Sequence, residues 1–278
     1  MKKQETSLIK ISGVAALLHL AAFVWAIVGS GKWHVQTKNT FNNWKKNDPD
    51  DEEETPFIVP TVRDFGFTVS LEVIVYVFHA VSLIFQLAAA AALSSSTLNY
   101  YKIEISNKRN IFRWIEYAIT APIMAVAIAV LEGQSDFFVL WFVYWCSLML
   151  MYFGYLTECH RNDMKKMLFN HFLGWALFIA TWFPIAHSFD TSINGSKVRP
   201  PNSVKPLIIT VFWTMVTFYA SFGILQTVDV VFKVSYVTIE KCYIVLSLLS
   251  KTCLGLLVMF ITRAFDEMDV AVVNEHKA

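Results

Sequence analysis

Long apolar stretches recur along the chain and are separated by shorter polar connections. A helix that crosses the hydrocarbon core of a bilayer needs roughly 20 apolar residues, because its backbone must satisfy its own hydrogen bonds where water is absent. Seven stretches reach that length and predict transmembrane helices, here called segments 1 to 7, at about 8–30, 66–93, 110–132, 136–158, 167–188, 205–230 and 239–262. The pattern therefore predicts an all-α membrane protein, a seven-helix bundle.

The longest connection is the loop of residues 31–65, between segments 1 and 2. It contains an acidic run from Asp48 to Glu54, which we interpret as part of a solvated cap over one end of the bundle. The apolar triplet Phe57-Ile58-Val59 follows and is long enough for a small β element before Pro60. No internal repeat or Gly-rich phosphate loop interrupts the pattern, so we predict a single domain over residues 1–278.

Composition supports a membrane protein and gives no sign of a nucleic-acid partner. Hydrophobic residues make up 55% of the 278 positions, and the mean hydropathy is +0.47, more apolar than the core of a soluble domain requires. The net charge of +1 provides no basic field for nucleic acid. The four cysteines form neither a disulfide framework nor a CxxC zinc pattern, and we expect no metal site.

Orientation is only weakly encoded. An odd number of spans places the two termini on opposite sides of the membrane. Lys and Arg divide almost evenly between the two sides, with a slight excess on the N-terminal side, so the positive-inside rule favours a cytoplasmic N-terminus and an extracellular C-terminus. The sequon Asn194-Gly195-Ser196 would then face outward.

Lys251 lies in the middle of segment 7, with uncharged residues on both sides. Burying an ammonium group there costs at least a few kcal/mol, which makes such a lysine a candidate functional residue. In an apolar pocket, a lysine amine is nucleophilic enough to condense with an aldehyde such as retinal. A snorkelling lysine, or one paired for structural reasons, is the alternative.

A buried cation on Lys251 needs a carboxylate partner, and Glu116 in segment 3 is the best candidate. Side chains of a helix tilt toward its N-terminus, so Lys251 points toward the side where segments 3 and 7 both begin and where Glu116 lies. Ser247, one turn before Lys251, would flank the amine. The alternative for Glu116 is a simple pair with Arg113 on its own helix.

Two motifs resemble helices 3 and 7 of heliorhodopsins: Asn110-Ile111-Phe112-Arg113-Trp114-Ile115-Glu116-Tyr117, and the run from Glu240 to Lys251. The resemblance extends across the bundle, at Leu18-His19, Phe78-His79, Phe153-Gly154-Tyr155, Ser221-Phe222 and Gln226. It implies a rhodopsin-like bundle with all-trans-retinal as a Schiff base on Lys251, Glu116 as the sole counterion and an inverted topology. A homodimer in membrane lipid is also implied, whereas no downstream signalling partner is indicated.

Further site residues follow from the resemblance. His19 and His79 match paired histidines near the Schiff base and would accept or relay its proton, although each could equally be a hydrogen-bonded core histidine. Candidates for the pocket wall are Tyr117, Thr120, Tyr219, Phe222 and Gln226, for which ordinary packing is the alternative. A linked ionic cluster at the cytoplasmic helix ends, structural or signalling in use, would consist of Arg113, Glu158 and Glu240.

The resemblance favours a light sensor over a pump. Microbial pump rhodopsins keep an aspartate where this chain has Ser247, and a donor carboxylate where it has Ala127. Glu72 in segment 2 leaves a second hypothesis open, a light-gated passive proton channel, although it could also be a boundary carboxylate that reaches headgroup water.

The sequence lacks the motifs of two other protein classes. A metalloenzyme would need ligand spacing such as HExxH, which is absent, and we expect no enzyme activity. A G-protein-coupled receptor would carry an Asp-Arg-Tyr triplet and an Asn-Pro-x-x-Tyr run, and neither is present.

Overall fold

The structure of the protein is a computed structural model. It describes residues 2–29, 32, 34–45, 57–95, 99–195, 205–232 and 234–275, with the backbone alone from 264 onward. The acidic run from Asp48 to Glu54 lies outside the described residues, as does Ser196 of the sequon.

Seven helices are long and apolar enough to cross a membrane, as the sequence predicted. The eight described α-helices are α1 (Lys2–Gly29), α2 (Leu71–Ser94), α3 (Asn99–Ser106), α4 (Ile111–Leu131), α5 (Phe137–Cys159), α6 (Met164–Asp190), α7 (Lys205–Phe232) and α8 (Tyr236–Glu275). All except the short α3 correspond to segments 1 to 7. The prediction of a seven-helix membrane bundle is confirmed.

The starts of three helices follow from side-chain caps in the connections. Asn110 accepts a hydrogen bond from the Arg113 amide at the start of α4, and Asp163 accepts one from the Lys166 amide at the start of α6. Asp136 accepts from two amides at the start of α5. Each cap satisfies backbone donors that the first turn of a helix cannot pair internally.

A β-hairpin replaces most of the predicted loop between α1 and α2. Strand β1 (His34–Lys45) pairs antiparallel with strand β2 (Phe57–Ser70). The predicted start of segment 2 at residue 66 is therefore wrong by five residues, because β2 continues through Ser70 and residues 68–70 pair with 34–36 of β1. Phe67 packs edge-on against Phe137 of α5, and the Val69 side chain is buried.

The hairpin defines one end of the bundle, here called the hairpin face, and the end where α1 begins is called the N-terminal face. Phe65 of β2 stacks on Phe137 with ring centroids 3.9 Å apart. The Lys38 amide donates to the Ser135 carbonyl at 2.8 Å, and the Thr40 amide donates to Asp136 Oδ2 at 3.2 Å. These contacts attach the hairpin to the start of α5.

Helix α4 is the central helix of the bundle. In its most apolar stretch 67% of the residues are buried, against 22% in α5 and in α7. Large apolar side chains such as Val28, Phe183 and Phe232 remain exposed on the outer helices. An apolar exterior around a packed interior is what an integral multi-pass membrane protein requires.

Candidate functional site

Lys251 and Glu116 meet inside the bundle, with side chains 3% and 1% exposed. The Lys251 amine donates to Glu116 Oε1 at 2.6 Å and to Ser247 Oγ at 2.9 Å. α8 supplies Lys251 and Ser247 one helical turn apart, and α4 supplies Glu116. Lys251 and Glu116 therefore form a buried ion pair. The sequence left two partners open for Glu116, Arg113 and Lys251, and in the structure Glu116 contacts Lys251.

Helix α2 completes the surroundings of Glu116 with two residues that the sequence analysis missed. Ser82 Oγ donates to Glu116 Oε1 at 2.7 Å, and Gln86 Nε2 lies 3.4 Å from Oε2. Both are spaced one turn apart on the face of α2 that packs against α4. These two contacts hold the Glu116 carboxylate in place from α2. The sequence signal that could have identified the two residues is the presence of a serine and a glutamine within an otherwise apolar helix.

Arg113 pairs with carboxylates on two other helices near the N-terminal face. Its guanidinium contacts Glu158 of α5 and, at 3.0 Å, Glu240 of α8. The second oxygen of Glu158 accepts from Trp114 Nε1 at 2.8 Å, and Asn110 donates to Glu240 at 2.7 Å. The predicted cluster residues therefore lie together, linked through further polar partners. Glu116 belongs to a separate group one turn deeper.

A cavity extends from Lys251 between α4, α5, α6 and α7. The proposed wall residues Tyr117, Thr120, Tyr219, Phe222 and Gln226 line it, together with Ser247. The sequence analysis missed its other wall residues: Trp114, Ala121, Met124, Leu150, Met151, Gly154, His171, Gly174, Trp175, Phe178, Gly223, Tyr243 and Ser250. A mostly apolar, aromatic cavity with a few polar groups is the usual form of a small-molecule site.

Polar contacts fix the wall of this cavity. Tyr117 donates to the Tyr243 carbonyl at 3.1 Å, and Tyr219 donates to the Ala121 carbonyl at 2.8 Å. Gln226 donates to the Gly154 carbonyl at 2.8 Å, and Thr120 bonds to the carbonyl of Glu116 on its own helix. With their hydroxyl and amide groups occupied, these residues present mainly apolar surface to the cavity.

His19 of α1 and His79 of α2 form a buried pair, with their Nδ1 atoms 3.1 Å apart. One of the two must donate, and the tautomers decide which. The pair lies beside α8 just beyond Lys251, since a side chain at Gly255, one turn further on, would approach His79 Nε2 to 3.2 Å. The histidines are therefore neighbours of the lysine site.

Glu72 lies at the hairpin face, in the first turn of α2, and is buried. His34 Nδ1 at the start of β1 lies 3.4 Å from Glu72 Oε1 and 2.8 Å from Ser70 Oγ. The His34 side chain is 50% exposed. The half-exposed His34 thus lies between Glu72 and the protein surface. Glu72 belongs to neither the lysine site nor the cavity wall. Within the described residues, no cluster of His, Cys, Asp and Glu has a metal-binding arrangement.

Comparison with known proteins gives one family and one fold. The profile of the family described as Heliorhodopsin matches residues 8–262. None of the curated protein sequences matches the chain.

Solved structures of microbial rhodopsins have a similar fold. A thermophilic rhodopsin has a TM-score of 0.68 at 11% identity, covering 96% of each chain. The Exiguobacterium sibiricum rhodopsin has 0.64 at 13%, covering 94% of this chain and 98% of its own. The light-driven proton pump of Leptosphaeria maculans has 0.56 at 11%, covering 94% and 96%. At such identities the likeness shows the fold alone.

Proposed function

Because the chain belongs to the heliorhodopsin family, we propose that it is a light sensor that carries all-trans-retinal on Lys251 and responds to light by a conformational change without pumping ions. The family implies a retinal chromophore, and rhodopsins are not classical enzymes. The observation that carries the proposal is the buried contact of Lys251 Nζ with Glu116 Oε1 at the end of an aromatic cavity.

The residues present fit retinal. The ligand is a long apolar polyene with a single aldehyde, so it needs an amine at one end of an apolar cavity. Lys251 supplies the amine, and aromatic residues such as Tyr117, Trp175 and Phe222 line the cavity beyond it. When bound, retinal supplies the absorption of visible light and a light-driven change of shape.

The chain's own residues then have distinct tasks. Lys251 holds the ligand, and Glu116 balances a positive charge on the lysine nitrogen. Ser82 keeps the Glu116 carboxylate in place from α2. We propose that His19 and His79, which lie just beyond Lys251 along α8, accept or relay a proton released there.

A sensor is supported over a pump by the number of carboxylates at the lysine. Among the described residues, Lys251 Nζ contacts one carboxylate, that of Glu116, and its second partner is the hydroxyl of Ser247. A pump needs groups of changing proton affinity along a one-way route. The single carboxylate at Lys251 and the neighbouring histidine pair instead support a proton that stays local.

The test is reconstitution of the purified apoprotein with all-trans-retinal. We expect a visible absorption band that is absent in Lys251→Ala and retained in Lys241→Ala, a matched control one helix turn inside the start of α8. Absence of a band in the wild-type protein, or its persistence in Lys251→Ala, would contradict the proposal.

A light-gated passive proton channel is the second candidate function. Glu72 supports it, because this carboxylate is buried in the bundle end yet contacts the half-exposed His34. Such a group could connect the interior to water at the hairpin face.

Orientation and assembly complete the proposal. We propose a cytoplasmic N-terminal face, an extracellular hairpin face and a homodimer in membrane lipid. A membrane-impermeant label that reacts with a cysteine placed at Asp64 from the outside of intact cells would support this orientation, and labelling only after lysis would contradict it. Cross-linking in membranes that yields monomers alone would contradict the dimer.

A further inference from the structure

Glu132 is a buried carboxyl group to which the proposed light response assigns no role. It directly follows Leu131, the last residue of α4, and is 0% exposed. Neither of its carboxyl oxygens has a hydrogen-bond partner in the described part of the chain. Glu132 lies 16 residues after Glu116, at the end of the same helix. This separation corresponds to about 24 Å along the helix axis at a rise of 1.5 Å per residue. Glu132 is therefore at the hairpin face, far from the lysine site.

The turn that carries Glu132 is hydrogen-bonded to the end of α6 and to the residues that directly follow α6. Ser192 Oγ donates to the Glu132 carbonyl at 2.7 Å, and Gln134 Nε2 donates to Ser188 Oγ at 3.1 Å. Gly133 has a φ of +93°, and a Cβ there would come within 2.4 Å of Ser192 Oγ. The turn around Glu132 is therefore held against the residues at and beyond the end of α6, while the carboxyl group itself is buried without a hydrogen bond to any described residue.

Among the described residues, no charged side chain compensates Glu132. The charged and titratable residues described at the hairpin-face ends of the surrounding elements include His34, Lys38, Arg63, Asp64, Glu72, Asp136, His187, Asp190, Lys205 and Arg263. None of them forms an ion pair or hydrogen bond with the Glu132 carboxyl group among the described residues. Asp136 caps α5 and accepts from Thr40, and Asp190 accepts from Asn194.

An ionised carboxylate without a partner is costly to bury, and such a group becomes neutral instead. Burial alone raises the pKa of Glu132, which follows the membrane-spanning part of α4, to about 8. The buried glutamates Glu116, Glu158 and Glu240 differ, since each has a cation in contact.

The two helices that meet over Glu132 each contain an internal proline. Pro122 lies in α4 between Glu116 and Glu132, and Pro184 lies in α6 four residues before Ser188. A proline removes one backbone hydrogen bond and weakens its helix at that point. Since α4 also carries Glu116 and part of the cavity wall, a change at the lysine site can move the end of α4 relative to α6.

We propose that Glu132 stores a proton in the dark state and exchanges it with the aqueous phase at the hairpin face when light moves the end of α4. In this exchange, the carboxyl O–H bond breaks, the proton passes to water, and a hydrated carboxylate remains until the same phase returns a proton. No net transport results. The exchange step rests on the proposed light response, whereas the dark-state proton does not.

The dark-state proton is tested by infrared spectroscopy of the apoprotein and of the retinal-bound protein at neutral pH. We expect a C=O stretching band of a neutral carboxylic acid, assigned by carbon-13 labelling of glutamate, that is lost in Glu132→Gln. Glu72→Gln is the matched control, a buried glutamate at the same face that has a histidine partner, and it should retain the band. Glu132→Asp keeps a carboxyl group and should show the band at a shifted frequency. That result would show that the loss of the band in Glu132→Gln is not caused by misfolding. A spectrum unchanged by Glu132→Gln would overturn the proposal even if retinal binds as proposed.

The exchange is tested by flash illumination of vesicles with a membrane-impermeant pH dye on the hairpin side. We expect a transient release and return of protons in the wild-type protein that is lost in Glu132→Gln, while the visible band remains. A transient of equal size in Glu132→Gln, or none in the wild type, would overturn the exchange role.

Discussion

Lys251 Nζ lies 2.6 Å from Glu116 Oε1, and Ser82 Oγ lies 2.7 Å from the same oxygen. The lysine, the carboxylate and the hydroxyl come from α8, α4 and α2. The contact therefore links three helices at a position where any change of charge on the lysine nitrogen alters its interaction with both neighbours.

Glu116→Gln removes the charge at this contact and keeps the shape. The cation at Lys251 loses its partner, so we expect a red-shifted band at acid pH and replacement by a neutral, blue-absorbing form at higher pH. Absorption spectra across pH measure both. Glu104→Gln is the control, a buried glutamate that pairs with Arg109, and it should leave the band unchanged. An unaltered band in Glu116→Gln would show that another group serves as counterion.

Arg113→Met leaves Glu158 and Glu240 buried without their shared cation. Breaking a buried pair on one side costs about 3–5 kcal/mol, so we expect a large fall in unfolding free energy in detergent. Combining Arg113→Met with Glu158→Gln and Glu240→Gln should recover much of the loss. In Lys166→Met the affected pair with Asp163 is exposed on both sides, 67% and 45%, so the change should be under about 1 kcal/mol. Equal losses in both single variants would refute a special role for the cluster.

Gly154→Ala should disturb the cavity wall. A Cβ at Gly154 would come within 2.3 Å of the Trp114 ring, which lines the cavity and bonds to Glu158. We expect less pigment on reconstitution and lower thermal stability. Gly13→Ala in α1 is the control, because a Cβ there meets nothing within 4 Å, and it should gain up to about 1 kcal/mol from helix propensity. Normal pigment yield in Gly154→Ala would mean that Trp114 has room to move.

Glu132 should make stability depend on pH. Its pKa is raised from 4.5 to about 8 by burial, so between these values the folded state binds more protons than the unfolded state. Unfolding free energy should therefore be highest at acid pH, fall as pH rises toward 8 by up to about 1.4 kcal/mol per pH unit, and level off above it. Chemical unfolding at several pH values measures the slope. Glu132→Gln should remove this component, and an identical slope in the variant would contradict the prediction.

Glu72→Gln tests the channel. If a passive conductance passes Glu72, whole-cell photocurrents should reverse at the proton equilibrium potential and decrease in this variant. Asp64→Asn, an exposed acid on β2, is the control and should leave currents unchanged. Absence of photocurrent, or no effect of Glu72→Gln, would exclude the channel in favour of the sensor.

The sequence by itself determined the seven spans, because the energy of burying apolar residues and backbone in lipid is a local property of each stretch. It also singled out Lys251 and Glu116, since a charge inside an apolar run is costly wherever the helix packs. The helix ends were predicted to within a few residues where caps such as Asn110 and Asp136 stand in the sequence.

Only the tertiary structure decided which groups meet. Residues 66–70 belong to β2 rather than to the predicted helix, because residues 68–70 pair with residues 34–36, which lie far back in the chain. The donation of Ser82 to Glu116 depends on how α2 and α4 are rotated against each other. Glu132 is the last residue of the predicted segment 3, and its burial, like the hydrogen bond from Ser192 to its carbonyl, requires the packed bundle. Such contacts join residues distant along the chain, so their energies are set by helix packing rather than by local pattern.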